Sequence, residues 1–273
     1  MLTPVGPFHG ALVGPSPGLR RYGVPPGGAM DRESAALANA LVGKPEAAPV
    51  WELSLFGGTF VAEGDGMVAA VGAPCEVIVG KTRRPGDGRY LVRNGDRISV
   101  RGKVGRGARV VVAWSSATGV PLRLAEPVAS LAAGPLNLCP GPQASLLPLE
   151  TLIETPWTIG VHSDRVGLRL NRADAPTHAH ELPSEPACVG AVQWTPSGTL
   201  LVVGPDGPTL GGYPKVGVVA EADLDRLGQL APGASVEFQA IGWDEAMALR
   251  GAAKARLAAR IGAIRLHGGL SSR

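Results

Sequence analysis

Short runs of apolar residues, separated by turn residues, recur along most of this chain. Between Trp51 and Val112 the pattern predicts six short strands, at residues 60–62, 67–71, 75–79, 90–92, 97–100 and 109–112. Glycine-rich turns such as Gly64-Asp65-Gly66 lie between them. This spacing is typical of a β-meander or a barrel.

A second series of strands follows Pro135, at residues 157–161, 166–170, 191–194, 200–203 and 216–220. Residues 94–100 and 232–238 share one sequence pattern, a turn with glycine followed by alternating apolar residues. This internal similarity indicates two related units. We therefore predict a mostly β protein of two β-barrel subdomains with a few short helices. The predicted subdomains are residues 1–134 and residues 135–273, the second with a C-terminal helix.

Three segments have helical periodicity instead. In the first, Asp31 is a good N-cap, Leu37 and Leu41 lie on one apolar face, and Gly43 and Pro45 end the helix. The other two are a short helix at residues 221–230 and an amphipathic C-terminal helix at residues 244–264, interrupted or weakened at Gly251.

Composition and charge narrow the function classes. Hydrophobic residues make up 45% of the chain and charged residues 18%, which is an ordinary globular balance. The net charge of +3 comes from scattered arginines. The densest basic groups, residues 81–84 and 101–109, are expected at solvated hairpin ends, so nucleic acid is not an expected partner. No apolar run is long enough to span a bilayer, so we expect a cytoplasmic protein.

The candidate site is the loop at residues 204–215, which joins two apolar runs. Three prolines and four glycines shape it, while Asp206, Thr209, Tyr213 and Lys215 supply an acceptor, a hydroxyl, a phenol and a cation. We expect Asp206 and Lys215 as exposed loop groups that face a small substrate. The alternative is a tight hairpin with no further role.

A second structured loop, residues 22–30, precedes the first helix. It is a natural place for an anion or a carbonyl oxygen to bind.

Three other motifs, a phosphate loop, a nucleophile elbow and a histidine metal site, are rejected. Residues 80–82 lack the first glycine of a phosphate loop, and no serine lies in a nucleophile elbow. His178 and His180 have no third ligand in the sequence, so we expect a solvated loop and no metal site.

Four segments together resemble a known family. They are residues 23–31 with 37–43, residues 163–170 (Ser-Asp-Arg-Val-Gly-Leu-Arg-Leu), residues 184–193, and residues 206–215, which match an Asp-x-x-Thr-x-Gly-Gly-Tyr-Pro-Lys loop. The family is the biotin-dependent carboxyltransferase, or allophanate hydrolase subunit 2, group. It includes the C subunit of the bacterial ATP-dependent 5-oxoprolinase, the antagonist KipA of a sporulation kinase inhibitor, and part of urea carboxylase.

The resemblance implies a cyclophilin-like β-barrel fold. It also implies a partner similar to allophanate hydrolase subunit 1, of the same type as KipI or the 5-oxoprolinase B subunit, and the oxoprolinase has a third component, its A subunit. That enzyme opens the 5-oxoproline lactam to glutamate. No cofactor is expected on this chain, since ATP or carboxybiotin would come through partner subunits, and activity on a small amide is expected only in the complex.

The same resemblance selects the site residues. Lys215, Arg165 and the amides near Gly211 and Gly212 are candidates for stabilising an oxyanion, and Asp206 or Tyr213 for carrying a proton. The catalytic candidates are thus Asp206, Tyr213, Lys215 and Arg165. The substrate-binding candidates are Gly28, Asp31, Gln193, Thr209, Gly211 and Gly212. In the structural alternative, Arg165 pairs with Asp164 to fix a turn and Lys215 is surface charge.

Two departures from the family pattern weaken the enzyme interpretation. Residues 10–18 lack the Thr-x-x-Gln-Asp-x-Gly-Arg segment of relatives, and residues 115–119 (Ser-Ser-Ala-Thr-Gly) replace a Gly-Ser-x-Ser-Thr segment. The alternative function is therefore a non-catalytic regulatory protein of the KipA type, which binds a partner and antagonises a kinase inhibitor.

Overall fold

The computed structural model describes residues 1–54, 57–102 and 107–267. The chain divides into two compact units. Unit 1 contains Met1–Pro15, Asp31–Ala132 and Ala255–Arg273, and unit 2 contains Ser16–Met30 and Ala133–Lys254. Within the described ranges, no helix has both the length and the apolar character needed to span a membrane.

Unit 1 contains two antiparallel sheets. Its strands are β1 (Leu2–Pro4), β2 (Gly10–Val13), β3 (Val50–Ser54), β4 (Gly58–Ala62), β5 (Gly66–Gly72), β6 (Cys75–Val79), β7 (Thr82–Pro85), β8 (Gly88–Val92), β9 (Arg97–Gly102), β10 (Arg109–Ser115) and β11 (Leu122–Arg123). The strand orders are β1-β4-β9-β6-β7 and β11-β8-β5-β10-β3-β2. The six predicted strands are confirmed, with ends that differ by a few residues.

Alternate residues of both sheets form one core, which includes Phe60, Val77, Ile98 and Val112, each fully or almost fully buried. Helix α1 (Arg32–Leu41) packs on β5 and β10. Because β5 is covered in this way, all of its residues are buried, which explains its continuous apolar sequence.

Unit 2 is built on one eight-stranded sheet. Unit 2 contains the strands β12 (Leu136–Pro140), β13 (Trp157–Ile159), β14 (Gly167–Asn171), β15 (Glu185–Pro186), β16 (Ala191–Trp194), β17 (Leu200–Val203), β18 (Leu210–Gly211), β19 (Lys215–Val219), β20 (Ser235–Val236) and β21 (Phe238–Ala240). Of these, β15 and β18 form a separate two-stranded sheet. The order β20-β13-β14-β17-β16-β19-β12-β21 places consecutive strands at the two edges of the sheet. Glu237 alone separates these two edge strands in the chain, so the edges lie close together and the sheet is a nearly closed barrel.

The barrel core of unit 2 includes Trp157, which is fully buried and donates its indole N–H to the Leu152 carbonyl at 3.0 Å. The short helices α2 (Leu149–Ile153) and α3 (Leu224–Gly228) complete this unit. The predicted fold class, mostly β with barrel subdomains, is confirmed.

The helix predictions are also confirmed, with one correction. Asp31 caps α1 by accepting from Ser34 N–H at 2.9 Å. The segment at 221–230 divides into a 3-10 turn, Glu221–Asp223, and α3. Helix α4 (Trp243–His267) continues through Gly251, so the predicted weak point does not interrupt it.

Of the two basic groups, residues 81–84 lie at the exposed end of the β6–β7 hairpin, as predicted. Lys103 and Arg106 of the second group lie outside the described residues.

We expect Gly251→Ala to raise the free energy of unfolding by about 0.5–1 kcal/mol, because a Cβ there meets no atom within 4 Å and glycine is a poor helix former. Urea denaturation measures the change. The matched control is Gly233→Ala, which has equally open space but a φ of +86°, so its stability should fall. A loss of stability in Gly251→Ala would contradict the prediction.

Candidate functional site

The loop at residues 204–215 lies in unit 2, between β17 and β19. Its middle is part of a small sheet in which Gly211 pairs with Glu185 and Leu210 with Pro186. Gly204 N–H also donates to the Val166 carbonyl at 2.9 Å. The loop is therefore held by main-chain bonds to two other segments.

Arg165 and Asp206 form the first pair of candidate residues. Arg165 Nε donates to Asp206 Oδ2 at 2.8 Å, and its Nη2 donates to Asp206 Oδ1 at 3.0 Å. The Arg165 side chain is 20% exposed and that of Asp206 41%. This bidentate geometry fixes both side chains. Asp164, the partner of Arg165 in the structural alternative, instead accepts from the N–H groups of Val166 and Gly167, so that alternative is wrong.

Gly28 belongs to the same group of contacts. Arg165 Nη2 also donates to the Gly28 carbonyl at 2.6 Å, and Gly27 N–H donates to the Pro205 carbonyl at 2.9 Å. Gly28 has a φ of +85°, which glycine adopts without strain. One guanidinium thus connects the loop at 22–30 with the loop at 204–215.

Lys215 departs from the prediction of an exposed loop group. It is the first residue of β19 and is 4% exposed. Its Nζ lies 3.1 Å from the Gly211 carbonyl and 3.4 Å from Glu185 Oε2. A buried cation needs such compensation, because removing it from water is costly. The surface-charge alternative for Lys215 is therefore wrong as well.

Gln193 lies directly opposite Lys215 on the neighbouring strand β16, at a β-bulge. Opposite residues on paired strands project from the same face, with Cβ atoms about 5 Å apart. Gln193 is 4% exposed, and its buried Nε2 has no hydrogen-bond partner among the described residues. That nitrogen is 2.6 Å from the position a Cβ would take at Gly211. The Gln193 amide and the Lys215 amine therefore converge on Gly211.

The other loop candidates are more exposed. Tyr213 is 42% exposed, and the described residues supply no hydrogen-bond partner for its hydroxyl. The Thr209 carbonyl accepts from Ala187 N–H at 3.0 Å and from Arg20 Nη2 at 3.3 Å. Gly212 lies against the Leu182 carbonyl, which is 3.1 Å from its ideal Cβ position.

Asp31 lies in unit 1, in a different setting from the rest. Its carboxylate is fully buried and accepts from the Ser34 hydroxyl at 2.6 Å and from the Ser130 hydroxyl at 2.7 Å. These contacts account for Asp31 as a helix cap, and its substrate-binding role stays a prediction.

Two polar residues of the site were not assigned a role from the sequence. Gln143 donates from Nε2 to Glu185 Oε2 at 3.0 Å, and its Oε1 accepts from Lys215 N–H at 2.9 Å. Glu185 lies within one of the segments that resemble the family, and this resemblance could have marked it as a site residue. No sequence feature marks Gln143, because it is 72 residues from Lys215 in the chain.

The His178 and His180 pair is explained by main-chain contacts. His178 Nε2 donates to the Trp194 carbonyl at 2.9 Å, and Nδ1 accepts from His180 N–H at 2.9 Å. Both nitrogens of the His178 ring are thus engaged. The described part of the chain contains no group of three His, Cys, Asp or Glu side chains that could hold a metal ion.

Comparison with known proteins identifies the family. The model of the carboxyltransferase domain, subdomains A and B, matches residues 22–125 and 116–240. The chain belongs to this family. Its relatives include the C subunit of the 5-oxoprolinase of Haemophilus influenzae, 27% identical over 85% of this chain and 88% of that protein. The urea amidolyase of Lachancea kluyveri is 26% identical over 85% of this chain, which spans only 16% of that protein.

Solved structures share the fold of this chain. TTHA0988 has a TM-score of 0.75 and 27% identity, and the match covers 88% of this chain but 55% of that protein. The urea amidolyase of K. lactis has a TM-score of 0.78 and 24% identity over 95% of this chain and 20% of that protein. The family resemblance stated from the sequence is confirmed.

Proposed function

We propose that this carboxyltransferase-family chain is one component of an ATP-dependent 5-oxoprolinase-like complex, which opens the 5-oxoproline lactam to glutamate, or of a related amide carboxyltransferase complex. The proposal includes a cytoplasmic location. Similarity along 88% of a protein named as the C subunit of 5-oxoprolinase supports this assignment.

The observation that carries the proposal is the convergence of Lys215 and Gln193 on Gly211. Two of the three Nζ–H groups of Lys215 have acceptors among the described residues, and the third remains available. The Gln193 Nε2 is a second buried donor. Two fixed donors directed at one place can stabilise the negative charge that develops on an amide oxygen when its carbon is attacked.

The proton transfer is assigned to the exposed part of the loop. Breaking the C–N bond leaves an amine nitrogen that must gain a proton. Tyr213 carries an accessible hydroxyl, and Asp206 is a carboxylate that Arg165 holds in one orientation. We assign the proton carrier to one of these two groups.

Activation is assigned to the partners. ATP or carboxybiotin would be supplied by an allophanate hydrolase subunit 1-like protein, of the same type as KipI or the 5-oxoprolinase B subunit, together with a third protein that corresponds to the A subunit. This chain would contribute the binding of the small amide and the oxygen-stabilising groups.

The test is reconstitution from the purified chain and two proteins of its source organism, the subunit 1-like protein and the counterpart of the oxoprolinase A subunit. We expect ATP-dependent formation of glutamate from 5-oxoproline by the assembled complex and none by the chain alone. Turnover by the single chain, or no turnover of 5-oxoproline or urea by the complex, would contradict the proposal.

A KipA-type regulatory role is the second candidate. It is favoured by the bidentate bonding of Asp206 to Arg165, since both carboxylate oxygens are engaged. The absence of the Gly-Ser-x-Ser-Thr segment points the same way. A complex that forms without turnover, and that restores the activity of an inhibited kinase, would select this role.

A further inference from the structure

Gln143 is bonded to both main-chain groups of Lys215. It is half-buried and lies three residues after the end of β12. Its Oε1 accepts from Lys215 N–H at 2.9 Å, and its own main-chain N–H donates to the Lys215 carbonyl at 3.1 Å. Because one residue satisfies both groups, Gln143 fixes the point from which the Lys215 side chain extends.

The side-chain amide of Gln143 also holds the counterion of this lysine. Gln143 Nε2 donates to Glu185 Oε2 at 3.0 Å, and Lys215 Nζ approaches the same oxygen at 3.4 Å. The ammonium lies closer to the Gly211 carbonyl, at 3.1 Å. A charge-assisted bond from an ammonium to a carboxylate is usually about 2.7–2.9 Å long, so this ion pair is a loose one. Gln143 thus occupies the oxygen on which a shorter ion pair would form.

We propose that Gln143 is a positioning residue of the candidate site. It holds Glu185 and the main chain of Lys215 at the same time, and so it keeps the ammonium at the Gly211 carbonyl. Without it, Glu185 would close on the ammonium, and the charge directed at a substrate oxygen would be neutralised. The inference rests on the proposed function in one respect: the task of the ammonium is to stabilise the oxyanion of an amide.

The first test is steady-state kinetics of the assembled complex with Gln143→Met, which keeps the side-chain length and removes both polar groups. We expect kcat for 5-oxoproline to fall by about 30-fold and KM to stay within about threefold, because the oxyanion exists only in the transition state. The matched control, Gln239→Met, removes another amide bond of unit 2, from Nε2 to Asn137 Oδ1 at 2.6 Å, and should behave like the wild type. An unchanged kcat in Gln143→Met would overturn the inference and leave the proposed function standing.

Gln143→Glu is a conservative variant whose effect depends on pH. The new carboxyl can still accept from Lys215 N–H, and when protonated it can donate to Glu185 as the amide does. When ionised it faces the Glu185 carboxylate and adds a negative charge beside the Lys215 ammonium. Its activity relative to the wild type should therefore rise as the pH is lowered from about 8 to about 5.5, while that of Gln143→Met stays constant. A constant ratio in Gln143→Glu would contradict the inference. Circular dichroism shows whether each variant is folded, and Gln143→Glu replaces Gln143→Met if the latter is not.

The carbon NMR signal of the Gly211 carbonyl in the isolated chain tests the geometry without turnover. Its shift depends on the hydrogen bond from Lys215 Nζ, and Lys215→Met supplies the reference without that bond. Gln143→Met should move the signal most of the way to the Lys215→Met position, and Gln239→Met should leave it in place. A signal that Gln143→Met does not move would overturn the inference. Movement as expected, in a chain whose wild-type complex does not turn over 5-oxoproline, would support the positioning contact and contradict only the proposed function.

Discussion

Replacing Lys215 by methionine is expected to lower kcat/KM of the assembled complex for 5-oxoproline by about 100-fold or more, because one of two donors to the developing oxyanion is lost. Methionine keeps most of the side-chain length within the buried site. Glu185 loses its cationic partner, but its side chain is 40% exposed and remains bonded to Gln143, so water can replace the lost contact. The free energy of unfolding should fall by no more than about 2 kcal/mol.

The matched control is Lys254→Met, which removes another lysine paired with a glutamate in unit 2. Lys254 lies 4.0 Å from Glu221 and its side chain is 62% exposed, so both activity and stability should stay near those of the wild type. Steady-state kinetics of the complex and urea denaturation of each chain provide the two readouts. Lys215→Met activity within about threefold of the wild type would show that the oxyanion assignment is wrong.

Gly204→Ala should produce the largest loss of stability, about 3 kcal/mol, and should inactivate the complex. A Cβ at this position would lie 2.2 Å from the Arg165 carbonyl oxygen and 2.9 Å from its carbon. Both are main-chain atoms, so the two loops must move apart. That movement breaks the bond from Asp206 N–H to the Arg165 carbonyl and disturbs the Arg165–Asp206 pair.

Thermal and urea unfolding of the isolated chain measure this effect. Gly251→Ala is the control for the added methyl group, because the space around it is open. If Gly204→Ala unfolds at the same denaturant concentration as the wild type, the close approach of the two loops is not required by the fold. Loss of activity without loss of stability would place the effect on the site geometry alone.

The elements that depend on local signals were predictable. The cap at Asp31 and the apolar face of α1 are encoded within a few residues of each other, and so are the alternating positions of strands such as β6 and β14. Period, capping and turn chemistry act over short distances and can be recognised without knowledge of the rest of the chain.

The site residues were found by a different route. Arg165, Asp206 and Lys215 match family motifs, and the composition of the loop independently indicates residues 204–215 as a candidate site. Neither source contains the contacts that those side chains make. In the structural alternative Arg165 pairs with Asp164, its neighbour in the sequence, whereas its partner in the structure, Asp206, is 41 residues away.

Pairing between strands that are distant in the chain decided the burial and the contacts of the site residues. By itself the sequence determined a mostly β chain, its main helices and the loop that carries the candidate chemistry. Only the tertiary structure buried Lys215 beside Glu185 and joined residues 16–30 to unit 2. It also placed Gln193 Nε2, which has no hydrogen-bond partner among the described residues, at Gly211. The carboxylate that compensates the buried Lys215 charge is 30 residues away in the chain, so a local pattern cannot encode the pair.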